Sequence, residues 1–221
     1  MFKRIYFLVD NFIIQSGKDN SFFIKRIGEF MGLLLSLLII LQAPFIDILI
    51  LKNSMGEISL TEIAQELLLG IIISIFIYNA FRYPKIKYGM ILIAGFFSCL
   101  LIRELDFVFD KIFSSWLYFA LIIVLFCLIL AIKYQKNTLY GLNHFCKSEG
   151  FYMMFCGFLM LFGFARLIGM QILWENLLGP SYIRVVKNAV EEISELMCYA
   201  LCLVATIKYT ASLHKSHPWV L

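Results

Sequence analysis

Long apolar runs alternate with short polar breaks along the chain, and most of the runs are long enough to cross a bilayer as helices. The first expected span begins near Phe22 or Gly28 and reaches about Leu51, with Pro44 as a kink and Asp47 close to its far end. Gly28 and Gly32 within it form a GxxxG close-packing pair. The second span follows Ser59, which stands at capping-box distance from Glu62, and carries Glu62, Gln65 and Glu66 ahead of the apolar run Leu67 to Tyr78. Arg82, Pro84, Lys85 and Lys87 close it. Gly89 opens the third span, which stops at Arg103-Glu104-Leu105-Asp106, with Asp110 one turn further on. A fourth runs from about Phe113 to Ile132, and Lys133 to Gly150 reads as a flexible polar connector. The fifth, Phe151 to about Leu173, is interrupted by Arg166, and Gly179-Pro180 turns the chain into the last.

That sixth span, Arg184 to Tyr209, carries Arg184, Lys187, Asn188, Glu191, Glu192 and Glu195 in its first third. At ~100° per residue, Arg184, Asn188, Glu191 and Glu195 share a stripe that continues through Cys198, Tyr199, Cys202 and Thr206. The N-terminal residues have a different pattern. Phe2, Ile5, Tyr6, Val9, Phe12 and Ile13 recur at helical spacing among Lys3, Arg4, Asp10 and Asn11, which predicts an amphipathic helix lying on the membrane surface over residues 1–20. The pattern therefore predicts an all-α, six-helix transmembrane domain over residues 21–210 and a cytoplasmic tail over 211–221.

Composition agrees with the pattern. Of 221 residues, 62% are hydrophobic and only 15% charged, and the mean hydropathy of +0.87 lies outside the range of soluble domains. The bilayer is the expected surrounding, a homo-oligomer or a membrane partner protein is compatible with the bundle, and the modest net charge of +4 implies no nucleic acid. The six cysteines lie mostly within apolar runs and need no disulfide.

Orientation follows from the basic residues. With both termini on one side, that side holds Lys3, Arg4, Lys18, Lys25, Arg26, Arg82, Lys85, Lys87, Lys133, Lys136, Lys147, Lys208 and Lys215, most of the 19 Lys and Arg. The positive-inside rule then places both termini in the cytoplasm and the protein in the cell's inner (plasma) membrane. Most of the 15 acids fall on the opposite side.

Counting from the cytoplasmic edge at ~1.5 Å per residue, Glu66, Arg103, Arg166 and Glu195 lie about 24, 21, 23 and 20 Å deep, at one level in the outer half. A charge at mid-bilayer costs roughly 2.5 to 3.5 kcal/mol, so these four are expected to face one another across the bundle. The full set of expected ion- or substrate-binding residues is Glu62, Glu66, Arg103, Glu104, Asp106, Asp110, Arg166, Arg184, Lys187, Glu191, Glu192 and Glu195.

Carboxylates without imidazole or thiolate suit a proton or a hard divalent cation such as Mg2+, Ca2+ or Mn2+, with Glu66, Glu191 and Glu195 as the expected metal ligands. The three histidines, His144, His214 and His217, all fall on the cytoplasmic side, which argues against haem. Three functions fit this pattern. One is the binding or movement of a cation or proton. Another is metal-dependent intramembrane chemistry on a lipid or isoprenoid. The third is a non-catalytic membrane subunit or assembly factor, held together by a structural charge clasp.

Overall fold

The computed structural model describes residue 20 and residues 23–52, 59–113 and 115–216. Apart from residue 20, the expected surface helix over residues 1–20 lies outside them. The chain divides into two compact units, Met1–Ile39 and Ile40–Leu221. In the first, residues 23–39 are helical, α1, and Arg26 pairs with Glu29 on it at 3.0 Å. A Cβ added at Gly28 or Gly32 would meet nothing within 4 Å beyond its own helix backbone, so the GxxxG pair makes no close packing within this unit.

The described residues are almost wholly helical and contain no strand. In the second unit the helices are α2 (Gln42–Leu49), α3 (Leu60–Arg82), α4 (Lys87–Glu104), α5 (Asp106–Phe113), α6 (Leu117–Lys133) and α7 (Gln135–Cys146). They are followed by α8 (Glu149–Ile168), α9 (Gln171–Leu178) and α10 (Arg184–Ser216). Among the described residues, four helical segments are long and apolar enough to cross a membrane: Phe23–Leu49, α3, α8 and α10. A fifth appears if α6 and α7, which meet at 104°, are counted as one span. The third expected span, α4, is not among the four because Lys87, Arg103 and Glu104 fall within its 18 residues.

α3 packs between α4 and α10, α8 covers another side of α10, and α6 and α7 cover α4. The core between them is aromatic. Phe76 stacks on Phe97 at 6.1 Å and on Tyr209 at 6.3 Å, and Phe145 meets Tyr209 edge-on at 5.0 Å. All four are buried, and each aromatic pair adds about 0.5–1.5 kcal/mol beyond the area it removes from contact with its surroundings.

The segment expected to be a flexible connector is ordered as α7. Its side chains find backbone partners at the α3–α4 turn: Asn137 donates to the Pro84 carbonyl at 2.9 Å and accepts from the Tyr88 amide at 3.1 Å. Gly89 and Gly141 let the two helices touch, since a Cβ on Gly89 would stand 2.8 Å from the Gly141 Cα. Residues 211–216, read as the start of a tail, continue α10, and Leu213 is buried.

Asp47 has a role that its place in the sequence does not reveal. It is fully buried, and its carboxylate accepts from the Leu60 amide at 3.0 Å and from the Thr61 amide and hydroxyl at 2.8 and 2.6 Å. Ser59 meanwhile accepts from the Glu62 amide at 3.1 Å, the first half of the expected capping box. The exposed donors at the start of α3 are thus closed by two side chains, one of them from α2. Asp47→Ala is expected to lower stability in detergent by roughly 2 to 4 kcal/mol, because two backbone amides and a hydroxyl lose their acceptor. Denaturant unfolding of the variant beside Lys136→Ala checks this, and equal losses would refute the capping role.

Candidate functional site

The charged side chains converge where α4 ends, α8 ends and α10 runs through its second to fourth turns. α10 presents Lys187, Glu191 and Glu195 at intervals of four residues, which places them one above another on a single face. This charged stripe runs through Lys187 in place of the expected Arg184 and Asn188, and Arg184 is exposed.

Glu195 is the centre. Its side chain is 4% exposed, and one oxygen, Oε1, accepts from Nη2 of Arg103 at 3.1 Å and from Nη2 of Arg166. Arg166 also reaches Glu191 at 3.7 Å. Lys187 binds Glu191 at 2.8 Å and donates to the Gly169 carbonyl at 3.3 Å, where a cation suits the C-terminal end of α8. On the other side Arg103 binds Glu104 at 2.5 Å, and the buried Tyr199 hydroxyl donates to the same Glu104 oxygen at 2.6 Å. Charge-assisted bonds of this kind are among the stronger ones a protein makes. They tie three helices together at one level.

The aim of Arg166 has a local cause. Met160–Ala165 is a π-helix, so the chain spends more residues on that turn than an α-helix would before it reaches Arg166. Leu161 and Ala165 within it are fully buried.

Glu192 lies beside this network. Its Oε2 accepts from Nε2 of Gln65 at 3.0 Å, and the same Nε2 donates to the Glu192 backbone carbonyl at 2.9 Å. Its partner is thus a neutral amide, while Glu104, Glu62 and Glu191 are among its charged neighbours. Gln65 is fully buried, and its Oε1 has no hydrogen-bond partner among the described residues. An orphan acceptor beside a carboxylate bound only by an amide is an arrangement that a proton or a cation completes.

The expected layer of Glu66, Arg103, Arg166 and Glu195 forms with three of its four members. Glu66 makes none of these ion pairs. One residue of rotation, ~100°, turns Gln65 toward α10 and Glu66 into a groove lined by Gly70, Ser74, Tyr78, Thr210 and His214. Glu66, Glu191 and Glu195 therefore do not assemble as a metal triad. Among the described residues no three His, Cys, Asp or Glu are grouped to hold a metal ion, and Glu191 and Glu195 are already taken by Arg166, Lys187 and Arg103. Asp106 is exposed in the first turn of α5, Asp110 lies on the same helix, and Glu62 is partly buried in the first turn of α3. Gln65 and Tyr199 join the site without having been expected there.

The polar trail below the site is a packing surface. Cys198, Tyr199, Cys202 and Thr206 are buried, Thr206 returns its hydroxyl to the Cys202 carbonyl at 2.8 Å, and Gly157 of α8 lies against Cys202.

Glu195→Gln is expected to cost about 3 kcal/mol, near the low end for stranding buried charges because Arg166 is itself half-exposed. Glu66→Gln is expected to cost less than about 1 kcal/mol, as for a charge outside such a network. Thermal unfolding of both variants checks the ordering, and a Glu66 loss equal to that of Glu195 would overturn it. Comparison with protein-family models, with curated proteins and with solved structures finds no match, so the role of the site rests on its own geometry.

Proposed function

We propose that this chain is a six-pass inner-membrane protein with both termini cytoplasmic, α4 serving as a span and α6 with the bend into α7 as another, and that it binds a proton or a small monovalent cation in the outer half of the bundle. The first 20 residues are an interfacial segment in this reading. The observation that carries it is the Gln65–Glu192 pair. The network pairs three carboxylates, Glu104, Glu191 and Glu195, with three cations, Arg103, Arg166 and Lys187, and Glu192 beside it meets none of those cations in an ion pair among the described residues. Neutralising it by protonation supplies a hydroxyl that an acceptor such as Gln65 Oε1 can use, and a bound monovalent cation meets the same need. A divalent ion is disfavoured, because its further ligands would have to be drawn from carboxylates that hold arginine.

The inner half of the bundle is filled by Phe76, Phe97, Phe145 and Tyr209, which favours exchange with one side of the membrane over conduction through it. A second reading, a purely structural clasp in a membrane subunit or assembly factor, is favoured by one observation: a single Glu195 oxygen serves arginines from two helices. The two readings differ at Glu192, which a clasp does not need.

Infrared difference spectra after a pH jump, taken on the full chain in liposomes with and without Na+ or K+, test the proposal. A carboxyl band that titrates in the wild type, is displaced by the cation or is insensitive to it, and is absent from Glu192→Gln is the expected result. Identical spectra for wild type and Glu192→Gln would leave only the clasp.

A further inference from the structure

At the opposite end of α3 from the charge network, the turn into α4 forms one wall of a cavity of about 240 Å³, closed by α7 and by Leu213 of α10. Its polar lining is Arg82, Tyr83, Lys85, Tyr140 and His144, and no carboxylate lines it among the described residues. Arg82 and Lys85 make no ion pair among the described residues, although each is a full positive charge at the rim. The walls beside them are fixed. The Tyr83 hydroxyl is hydrogen-bonded to Nδ1 of His214 at 3.0 Å, and the Tyr209 hydroxyl to Nδ1 of His144 at 3.3 Å, so two tyrosine–histidine pairs hold α3, α7 and α10 together around the cavity. Pro84, Ile86 and Leu213 supply apolar surface between the charges.

We infer that this cavity binds the phosphate of an anionic phospholipid headgroup. Three observations converge on that chemistry. The lining is cationic without a compensating acid, which selects an anion. Arg82 is the last residue of a helix long and apolar enough to cross a membrane, and Leu213 in the last described turn of α10 lines the same cavity, so in a bilayer spanned by α3 the cavity lies at the level of the headgroups. The mixture of charge, half-exposed Tyr140 and apolar wall fits a ligand that is part phosphate and part glycerol ester better than it fits a fully hydrated ion. Arg82 offers a fork of donors to phosphate oxygens, and Lys85 a point charge beside it. The inference rests on the chain spanning a membrane, and is independent of Glu192.

Native mass spectrometry of the full chain titrated with phosphatidylglycerol or phosphatidylcholine tests it, with inorganic phosphate as competitor. Phosphatidylglycerol is expected to bind selectively. Arg82→Gln is expected to weaken it about fivefold and Arg82→Gln with Lys85→Gln about twenty-five-fold, the equivalent of ~1 kcal/mol per basic residue at such a surface. Lys136→Gln, at an exposed basic residue of α7 that does not line the cavity, serves as the control and is expected to bind like the wild type. Equal binding of the two lipids, or wild-type binding by the double variant, would overturn the inference. Displacement of phosphatidylglycerol by inorganic phosphate at similar concentration would overturn the lipid assignment in favour of a free anion. Resistance of the protein to alkaline extraction from phosphatidylcholine vesicles tests the spanning premise separately, since that result does not depend on headgroup charge.

Discussion

One carboxylate oxygen on Glu195 accepts from two guanidinium groups, and the arrangement of α4, α8 and α10 depends on that sharing. Within a hydrocarbon environment neither an arginine nor a glutamate is stable alone, so the three helices gain most when all three groups meet at once. The requirement sets depth and rotation together: each helix must slide until its charge reaches the common level and turn until the charge points inward. Dispersion between apolar faces could not specify this, because lipid tails pack against leucine about as well as another helix does.

Around that point the bundle separates into two layers of different character. The charged layer gathers Arg103, Glu104, Arg166, Lys187, Glu191, Glu192, Glu195, Gln65 and Tyr199, and the layer beneath it gathers Phe76, Phe97, Phe145 and Tyr209. Tyr199 joins the two, with its ring fully buried and its hydroxyl on Glu104. The layering sets the charged network on a packed aromatic floor.

Much of this could be read from the chain and some could not, for reasons that are geometric. Rise along a helix is uniform, so counting residues from the basic ends was enough to put Arg103, Arg166 and Glu195 at one height. Rotation is less forgiving. Gln65 and Glu66 differ by one step, and which of them faces α10 depends on how α3 packs, which the local pattern does not record. Asp47 looked like one more outward acid because its partners, Leu60 and Thr61, lie across a polar break in the sequence. α7 looked like a loop because its helix is held by Pro84, Tyr88 and Gly89 of a distant turn, and its own composition is polar. The π-helix before Arg166 has no compositional mark at all.

That wide turn makes chain length in this stretch more critical than chemistry. At Met160, Phe162 and Phe164 one apolar residue can replace another with little effect on where Arg166 points, because these three are exposed and Leu161 and Ala165 carry the buried side of the turn. Losing or adding a single codon there is different in kind: the wide turn would close to an ordinary one or open further, and every residue up to Ile168 would swing by ~100° about the axis. Descendants of this gene can therefore drift in spelling through the segment while remaining intolerant of insertions and deletions.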